Sequence, residues 1–534
     1  MLNGQVAKIL GSLSALGSAA YILYNETREG TFKIQDLVLT MVKATQSKRI
    51  RSVFLGSLLV TYGVNKFTNI QSKLVSRFAQ ILASFWTMYY LLYYGESPVL
   101  KYKKTLFNRQ IVQKAGLTET FWPCVWLTQA DAMTVLGSFF SDLEFLLFYD
   151  MEWKKTKLLS YDGVNDVCMD WYIPQQKGKV LETKDSADPV VVLVHGLGGS
   201  TDANYLKKFA RAAHSNGWRA VSYDWWRLDF AEWRDLDIGI NHIAHENPEA
   251  PIVLVCFSAG THVGLRYLQE SGKDSPLVAA VAVSPVQDLI EEYSKIRDVP
   301  GRQFIYKDFV NRTTKGMARR SLENDKRDDF KEDYMAAIEE ETETDNLYDR
   351  CIFNSVTYSC KNHPGVNVTQ TSLRGKERPK FLGTEDHYAG AVAGKWDRIK
   401  VTTLLLHAHD DPVLAYSSIE WDDVVSNKNL IAMSTAKGGH VAWHEGIFPF
   451  GETWSHRQCL KFLASVLDTH ATTNFMLQVM KSAKEVYLND DPKNYKKIPS
   501  VARIARIVSS TDLEVMRLQD ENRGGKGGLG LITE

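Results

Sequence analysis

The stretch PIVLVCFSAGT, residues 251–261, decides the fold of this chain. Its apolar run over 252–257 predicts a buried parallel strand, and residues 262–270 place apolar side chains at helical spacing. A serine on such a strand-to-helix turn has its hydroxyl exposed at the tip of a sheet, which is how a nucleophile is presented. The usual pattern is Gly-x-Ser-x-Gly around Ser258, with Cys256 here in place of the first glycine. An ordinary turn between small residues is the alternative at this point.

Strands and helices alternate on both sides of this turn. Apolar runs predict strands at 167–172, 189–194, 218–223, 277–283, 401–407 and 430–434, with helices at 204–215 and 233–244. This order predicts a mostly parallel, doubly wound sheet. The alternation stops from about 291 to 396, where charged helical sequence and polar loops predict a cap or lid inserted over the site.

A glycine-rich string follows the predicted strand at 189–194. It reads His195-Gly196-Leu197-Gly198-Gly199-Ser200, and glycines directly after a buried strand leave backbone N–H groups free to point inward. Such groups, together with the N–H after a nucleophile, stabilise the oxyanion of a tetrahedral intermediate. We expect Leu197 and Ala259 to provide these two donors; an ordinary tight turn is the alternative.

Two further motifs come after late strands. Asp410-Asp411-Pro412 follows the strand at 401–407, and Gly438-Gly439-His440 follows the strand at 430–434. Together with Ser258 they give the order serine, acid, histidine, in which His440 acts as general base and a carboxylate holds its imidazole. Asp410 lies three residues after the strand, so we expect it, rather than Asp411, to be the acid. The competing histidines are His407, His409 and His444.

Length and composition limit the other possibilities. The chain has 534 residues, which leaves room beyond a core of roughly 250–300 residues. Its net charge of +0 argues against a nucleic-acid partner. The six cysteines include no Cys-x-x-Cys pair, so they predict neither a zinc site nor a disulfide framework and favour a reduced compartment.

The N-terminal region is basic and apolar. Residues 1–110 hold 14 Lys/Arg against 4 Asp/Glu, a net charge of +10. Uncharged apolar runs occupy 9–24, 53–64 and 78–94, and the last ends in an aromatic cluster typical of a membrane interface. We therefore expect a helical, membrane-associated region over 1–110; the alternative is a helical subdomain packed on the rest of the chain.

Taken together, these motifs resemble a known family. The segments FWP…WL (121–127), DG…DW (162–171), HGLGGS (195–200), HAHDDP (407–412) and GGH (438–440) carry the resemblance, which covers about residues 121–467. The family is the membrane-anchored α/β-hydrolase-domain group, the type-4 AB hydrolases, with embryogenesis-associated proteins, short-chain esterases and acylglycerol and phospholipid hydrolases. The resemblance implies an α/β-hydrolase fold and a triad of Ser258, Asp410 and His440. Cys256 and Thr261 stand where the family usually has glycines.

The sequence therefore predicts a serine hydrolase that cleaves esters of lipids or other apolar acyl compounds through an acyl-enzyme, without metal or organic cofactor. The predicted organisation is a membrane-associated region over 1–110, the hydrolase domain over 120–470 with its cap at about 291–396, a helical extension over 471–520 and a Gly-rich tail over 521–534. One alternative is a non-catalytic scaffold acting as a membrane-bound partner. Another is an acyltransferase, which the lack of a His-x-x-x-x-Asp string disfavours. Organelle, head group and oligomeric state stay open.

Overall fold

The computed structural model describes residues 82, 85–90, 93–149, 151–176, 179–180, 187–226, 232–287, 306, 308–324, 326, 367–368, 381–382 and 392–489. The predicted apolar runs at 9–24 and 53–64, most of the predicted cap, the chain after 489 and the Gly-rich tail lie outside these residues.

A nine-stranded sheet organises the described residues. Its strands are β1 Val99–Tyr102, β2 Glu152–Leu159, β3 Asp166–Ile173, β4 Val190–Val194, β5 Arg219–Tyr223, β6 Ile252–Phe257, β7 Leu277–Val283, β8 Thr402–Ala408 and β9 Leu430–Thr435. They lie in the order β1-β9-β8-β7-β6-β4-β5-β3-β2. The six strands β4 to β9 run parallel, whereas β1 is antiparallel to β9 and β3 is antiparallel to both β5 and β2. The predicted mostly parallel sheet is confirmed.

Helices cover both faces of this sheet. They are α1 Leu106–Ala115, α2 Ala130–Phe148, α3 Asn204–Ser215, α4 Arg234–Glu246, α5 Ala259–Ser271, α6 Asp308–Asn324, α7 Trp421–Ser426 and α8 Trp454–Asn489. Side chains of β4 alternate between the faces, so Val192 packs with α4 and α5 while Val191 packs with α1, α3 and α8. Because both faces are covered, every residue of β4 and β6 is buried, which explains their uninterrupted apolar sequences.

The N-terminal part of the described chain belongs to this architecture. Strand β1 forms one edge of the sheet, and α1 begins at an N-cap where the Thr105 side chain accepts from the Asn108 N–H. Of the apolar run at 78–94, residues 85–90 are helical. Within the part of the chain described, no helix is both long and apolar enough to cross a bilayer. Most of the predicted membrane-associated region over 1–110 lies outside the described residues, and its attachment to a membrane stays a prediction.

Candidate active site

Ser258 lies on a strained turn between β6 and α5. Its φ of 51° and ψ of −130° are rarely adopted by a residue with a side chain, and its N–H donates to the Val283 carbonyl at 2.9 Å. The turn needs small neighbours: a Cβ at Gly260 would lie 2.2 Å from the His195 carbonyl oxygen, and one at Gly196 would lie 3.0 Å from the Ser258 Cβ. This close packing of backbone places the serine hydroxyl beside the glycine-rich string after β4.

The two departures from the usual glycines each have a structural explanation. Cys256 is buried, and its Sγ occupies space on α5 that a side chain at Gly264 would need, since a Cβ there would lie 2.2 Å from the sulfur. Burial raises the pKa of the Cys256 thiol, so it has little thiolate character. The Thr261 hydroxyl donates to the Ser258 carbonyl at 2.6 Å and accepts from the Val286 N–H at 2.9 Å. Thr261 therefore ties the strained turn to the loop after β7.

His440 faces the serine from the loop after β9. Its Nε2 lies 2.8 Å from the Ser258 Oγ, and its backbone N–H donates to the Thr134 Oγ1 at 2.9 Å. Gly439 has a φ of 61°, and a Cβ there would lie 2.7 Å from the Thr134 Oγ1. The two glycines before the histidine thus let its loop pack against the first turns of α2. Thr134 is a site residue that the sequence analysis did not find, because nothing local to it indicates a contact with residue 440.

Asp411, and not Asp410, contacts the histidine. The His440 Nδ1 lies 2.9 Å and 3.1 Å from the two carboxylate oxygens of Asp411. The Asp410 carboxylate instead accepts from the Gly439 N–H at 3.0 Å. We therefore correct the predicted partner of His440 from Asp410 to Asp411. Strand β8 ends at Ala408 and Asp411 N–H donates to its carbonyl, so the chain turns between the two carboxylates and sends them to different neighbours.

The surroundings of the two carboxylates differ accordingly. Burial favours the protonated form of Asp411, but the imidazole of His440 and the N–H groups of the following loop outweigh it and hold the pKa below its usual range. Those N–H donors are Val413 and Leu414, each at 2.9 Å from one Asp411 oxygen. Burial raises the pKa of Asp410 to about 6, with the nearby Asp411 charge adding to the effect. Asp411 is therefore the carboxylate held in its charged form.

The string after β4 forms a compact loop. The Gly196 N–H donates to the Tyr205 hydroxyl at 2.8 Å, the Gly198 N–H to the Met317 Sδ at 2.9 Å, and the Gly199 N–H to the Gly196 carbonyl at 3.1 Å. The N–H groups of Leu197 and Ala259, predicted as oxyanion donors, have no acceptor among the residues described. They are thus the backbone donors near Ser258 that a substrate oxygen could engage.

Helix α6, within the predicted cap range, lies over this loop. Besides the Met317 contact, its Arg320 pairs with Asp224 and reaches the Gly199 carbonyl at 3.4 Å. Burial favours the neutral form of Asp224, but the neighbouring His195 and Arg320 outweigh it and keep the pKa of this carboxyl below its usual range. The ion pair therefore fastens α6 to the end of β5, beside the glycine-rich loop.

The competing candidates occupy other positions. His407 and His444 are buried, and burial lowers the pKa of His444 to about 3. His409 Nε2 lies 3.2 Å from the Ser434 Oγ. Ser284 is buried, and its hydroxyl accepts from the Val441 N–H at 3.3 Å. In the part of the chain described, no group of His, Cys, Asp and Glu side chains is arranged to hold a metal ion.

A mostly parallel sheet with a strained serine after a central strand, and a histidine and carboxylate after later strands, defines an α/β hydrolase. Residues 191–452 match the alpha/beta hydrolase family, and the curated proteins similar to this chain include embryogenesis-associated and lipid-hydrolase proteins. The family resemblance and the α/β-hydrolase fold predicted from the motifs are thereby confirmed.

Three curated relatives illustrate the range of this family. Embryogenesis-associated protein EMB8 of Picea glauca is 23% identical over 52% of this chain and 58% of its own length. Phospholipase ABHD3 of Mus musculus is 21% identical over 72% of this chain and 88% of its own length. A monoacylglycerol lipase of Saccharomyces cerevisiae is 22% identical over 52% and 60%. The chain therefore spans less than two thirds of the length of two of these three relatives.

Proposed function

We propose that this protein is a serine hydrolase that cleaves carboxylic esters. The observation that carries the proposal is the unbroken contact from Ser258 Oγ to His440 Nε2 at 2.8 Å and from His440 Nδ1 to the Asp411 carboxylate at 2.9 Å. The strained backbone of Ser258 supports it, since such strain persists where a side chain must be held at a reacting position.

In the proposed reaction, the Ser258 oxygen attacks the ester carbonyl carbon and its proton passes to His440 Nε2. The N–H groups of Leu197 and Ala259 stabilise the negative oxygen of the tetrahedral intermediate. Its collapse breaks the bond to the alcohol, which takes the proton from His440. Water then attacks the acyl-enzyme by the same route and releases the acid.

Asp411 holds the imidazole in the tautomer that this reaction needs. Because its carboxylate accepts from Nδ1, Nε2 is left to accept the serine proton, and the charge of Asp411 stabilises the imidazolium that forms. The His440 imidazole, with the backbone N–H groups that donate to Asp411, holds the pKa of this carboxyl below its usual range although its side chain is fully buried. All the groups in this mechanism belong to the chain itself, without metal or organic cofactor.

The proposed substrates are esters of lipids or other apolar acyl compounds. The support is the likeness to a phospholipase and a monoacylglycerol lipase, together with the apolar, basic region over 1–110. That region would attach the chain to a membrane. The same proposal places a cap over about 291–396 that includes α6, a helical extension over 471–520 and a flexible tail over 521–534. The hydrolase domain predicted over 120–470 is extended at its N-terminal end by β1 and α1, which belong to its sheet and core.

Labelling of the purified full chain with a fluorophosphonate probe tests the proposal. We expect wild type to be labelled and Ser258→Ala to lose labelling and ester hydrolysis while staying folded. Ser200→Ala is the matched control, since it removes a hydroxyl from the neighbouring glycine-rich loop and should stay fully labelled. A wild type that resists the probe would indicate a scaffold, and undiminished labelling of Ser258→Ala would place the nucleophile elsewhere.

A further inference from the structure

Helix α2 carries a wide apolar surface on its outer side. Its inner side is buried by residues such as Met133, Gly137 and Phe145. On the outer side, five large apolar side chains are 41% to 83% exposed: Val135, Leu136, Phe139, Leu146 and Leu147. Phe148, the last residue of the helix, is 61% exposed. A helix that is apolar on both sides needs a cover on each, and the sheet domain covers one.

Aromatic side chains from two neighbouring segments extend this surface. Phe450, from the loop after the histidine, packs against Phe140 and Phe148 with ring centroids 6.2 Å apart in each case. Phe448, 61% exposed, stacks on Phe450 at 6.0 Å. Trp126 packs on Phe140 at 5.4 Å and is 43% exposed. The surface therefore continues from α2 onto the chain on either side of it.

The helical segment at 85–90 adds tryptophan and tyrosine side chains to this apolar surface. Trp86 and Tyr89 are 43% and 47% exposed, and their ring centroids lie 6.0 Å apart. The Trp86 Nε1–H donates to the Val125 carbonyl, which joins this segment to Trp126, and the Trp126 Nε1–H donates to the Ile447 carbonyl. Both indole N–H groups are satisfied within the protein, so the rings present carbon to the outside. We use the name apolar face for the exposed apolar side chains of α2 given above, together with Trp86, Tyr89, Trp126, Phe448 and Phe450.

We propose that the apolar face rests on a lipid surface. Tryptophan and tyrosine at one part of a surface and aliphatic side chains at another suit the boundary between headgroups and acyl chains. Residues 1–81 precede Trp86 and Tyr89 in the sequence and hold the apolar runs at 9–24 and 53–64. Residues 1–110 carry a net charge of +10. That charge complements anionic lipid headgroups. Asp142, three residues after Phe139 and four before Leu146 on α2, is exposed, and partial desolvation raises the pKa of its carboxyl.

The position of the face gives it a use. Thr134, which accepts from the backbone N–H of His440, lies on the same helix one residue before Val135. A lipid surface that binds α2 therefore lies next to the loop carrying the histidine. The placement of the face stands without any activity, whereas its use in supplying the site with lipid ester rests on the proposed hydrolase.

The placement is tested with an environment-sensitive fluorophore of the nitrobenzoxadiazole type on single added cysteines. Leu147→Cys puts it on the apolar face, and Leu159→Cys, at the end of β2, is the matched control; the two leucines are 58% and 62% exposed. The full chain is mixed with vesicles of phosphatidylcholine and phosphatidylserine, and the signal of equally treated wild type is subtracted. We expect the emission at position 147 to move to the blue and to rise roughly twofold or more as the dye leaves water, with no change at 159.

Three outcomes would overturn the proposal. If the dye at position 147 emits as it does in water and vesicles do not change its emission, no lipid covers the apolar face. A blue shift that needs no vesicles and grows with protein concentration would assign the face to a second copy of the chain. A blue shift that depends neither on vesicles nor on protein concentration would assign the apolar face to the chain's own N-terminal residues.

A second measurement links the face to the reaction. The pair Phe139→Ser and Leu146→Ser should lower kcat/KM on a vesicle-borne ester by about tenfold or more and leave hydrolysis of a soluble short-chain ester unchanged. The matched pair Leu159→Ser and Val164→Ser, also exposed, should alter neither rate. If no variant hydrolyses any ester, the proposed function fails, and the fluorescence result still decides the placement.

Discussion

The substitutions Cys256→Gly and Gly264→Ala, made singly and together, test how the serine turn accommodates a cysteine. In the structure, a Cβ at Gly264 would lie 2.2 Å from the Cys256 Sγ and 3.3 Å from the Cys256 Cβ. Non-bonded heavy atoms settle at about 3.5–4.0 Å, so a methyl group at 264 overlaps the sulfur by more than about 1 Å. Cys256 is 2% exposed and lies in a packed core, so its side chain has little room to turn away.

These distances set the expected energies. Gly264→Ala should cost about 1–3 kcal/mol of overpacking, reduced by up to about 1 kcal/mol of helix propensity. Cys256→Gly leaves a cavity and frees the backbone of β6, which should also cost roughly 1–3 kcal/mol. In the double variant the alanine methyl enters the space that the sulfur leaves. The loss should therefore be smaller than the sum of the single losses by about 1–3 kcal/mol.

The assay is thermal unfolding of the full chain, in which 1 kcal/mol corresponds to about 2–4 °C, combined with the rate of fluorophosphonate labelling. Gly316→Ala on α6 is the control, because a Cβ at Gly316 meets nothing within 4 Å and should cause no loss of stability. Single effects that add within about 0.5 kcal/mol would refute the reasoning that Gly264 makes room for Cys256.

Other consequences of the site can be measured separately. Asp411→Asn should lower kcat by about 10⁴, and Asp410→Asn by less than about tenfold; the reverse ranking would return the acid to Asp410. The pKa of Asp410 rises to about 6 on folding, so wild type loses stability as the pH rises from about 4 through 6. In thermal unfolding, Asp410→Asn should therefore have the same stability as wild type at pH 4. At pH 8 the variant should be more stable by up to roughly 3 kcal/mol. Thr134→Val leaves the His440 N–H without its acceptor and should lower kcat about tenfold at constant KM, with Thr134→Ser restoring it. A thiol alkylating reagent should leave wild type and Cys256→Ala equally active; selective loss in wild type would contradict inert packing.

The sequence was informative where each signal is local. The apolar runs predict the buried strands to within about a residue, as at Leu277–Val283, and the helix at Asn204–Ser215 has the predicted bounds. The serine turn was predictable because its requirement for small neighbours is written into residues adjacent in the chain. The histidine loop was predictable for the same reason, since Gly438 and Gly439 precede it.

The sequence was less informative where a long-range contact decides the outcome. Asp410 and Asp411 are the same residue type, so the sequence does not distinguish them. The turn after β8, together with the N–H groups of Val413 and Leu414, determines which carboxylate contacts His440. Thr134 acts across a separation of 306 positions, which no pattern on α2 indicates. The short strand β1 lies in a basic stretch and forms through its pairing with β9.

That pairing has a consequence for the order in which the protein can be completed during synthesis. Strand β1 waits for β9, and the carboxylate of Glu96 beside it accepts from the Ala436 N–H, 340 positions later. At about 5–20 residues per second, a ribosome needs roughly 20–70 s to supply that partner. Meanwhile β1 is an unpaired strand, and Lys101, Lys103 and Lys104 place charges in and after it. Such charges discourage pairing with other chains, so these lysines would protect the nascent protein until β9 is synthesised.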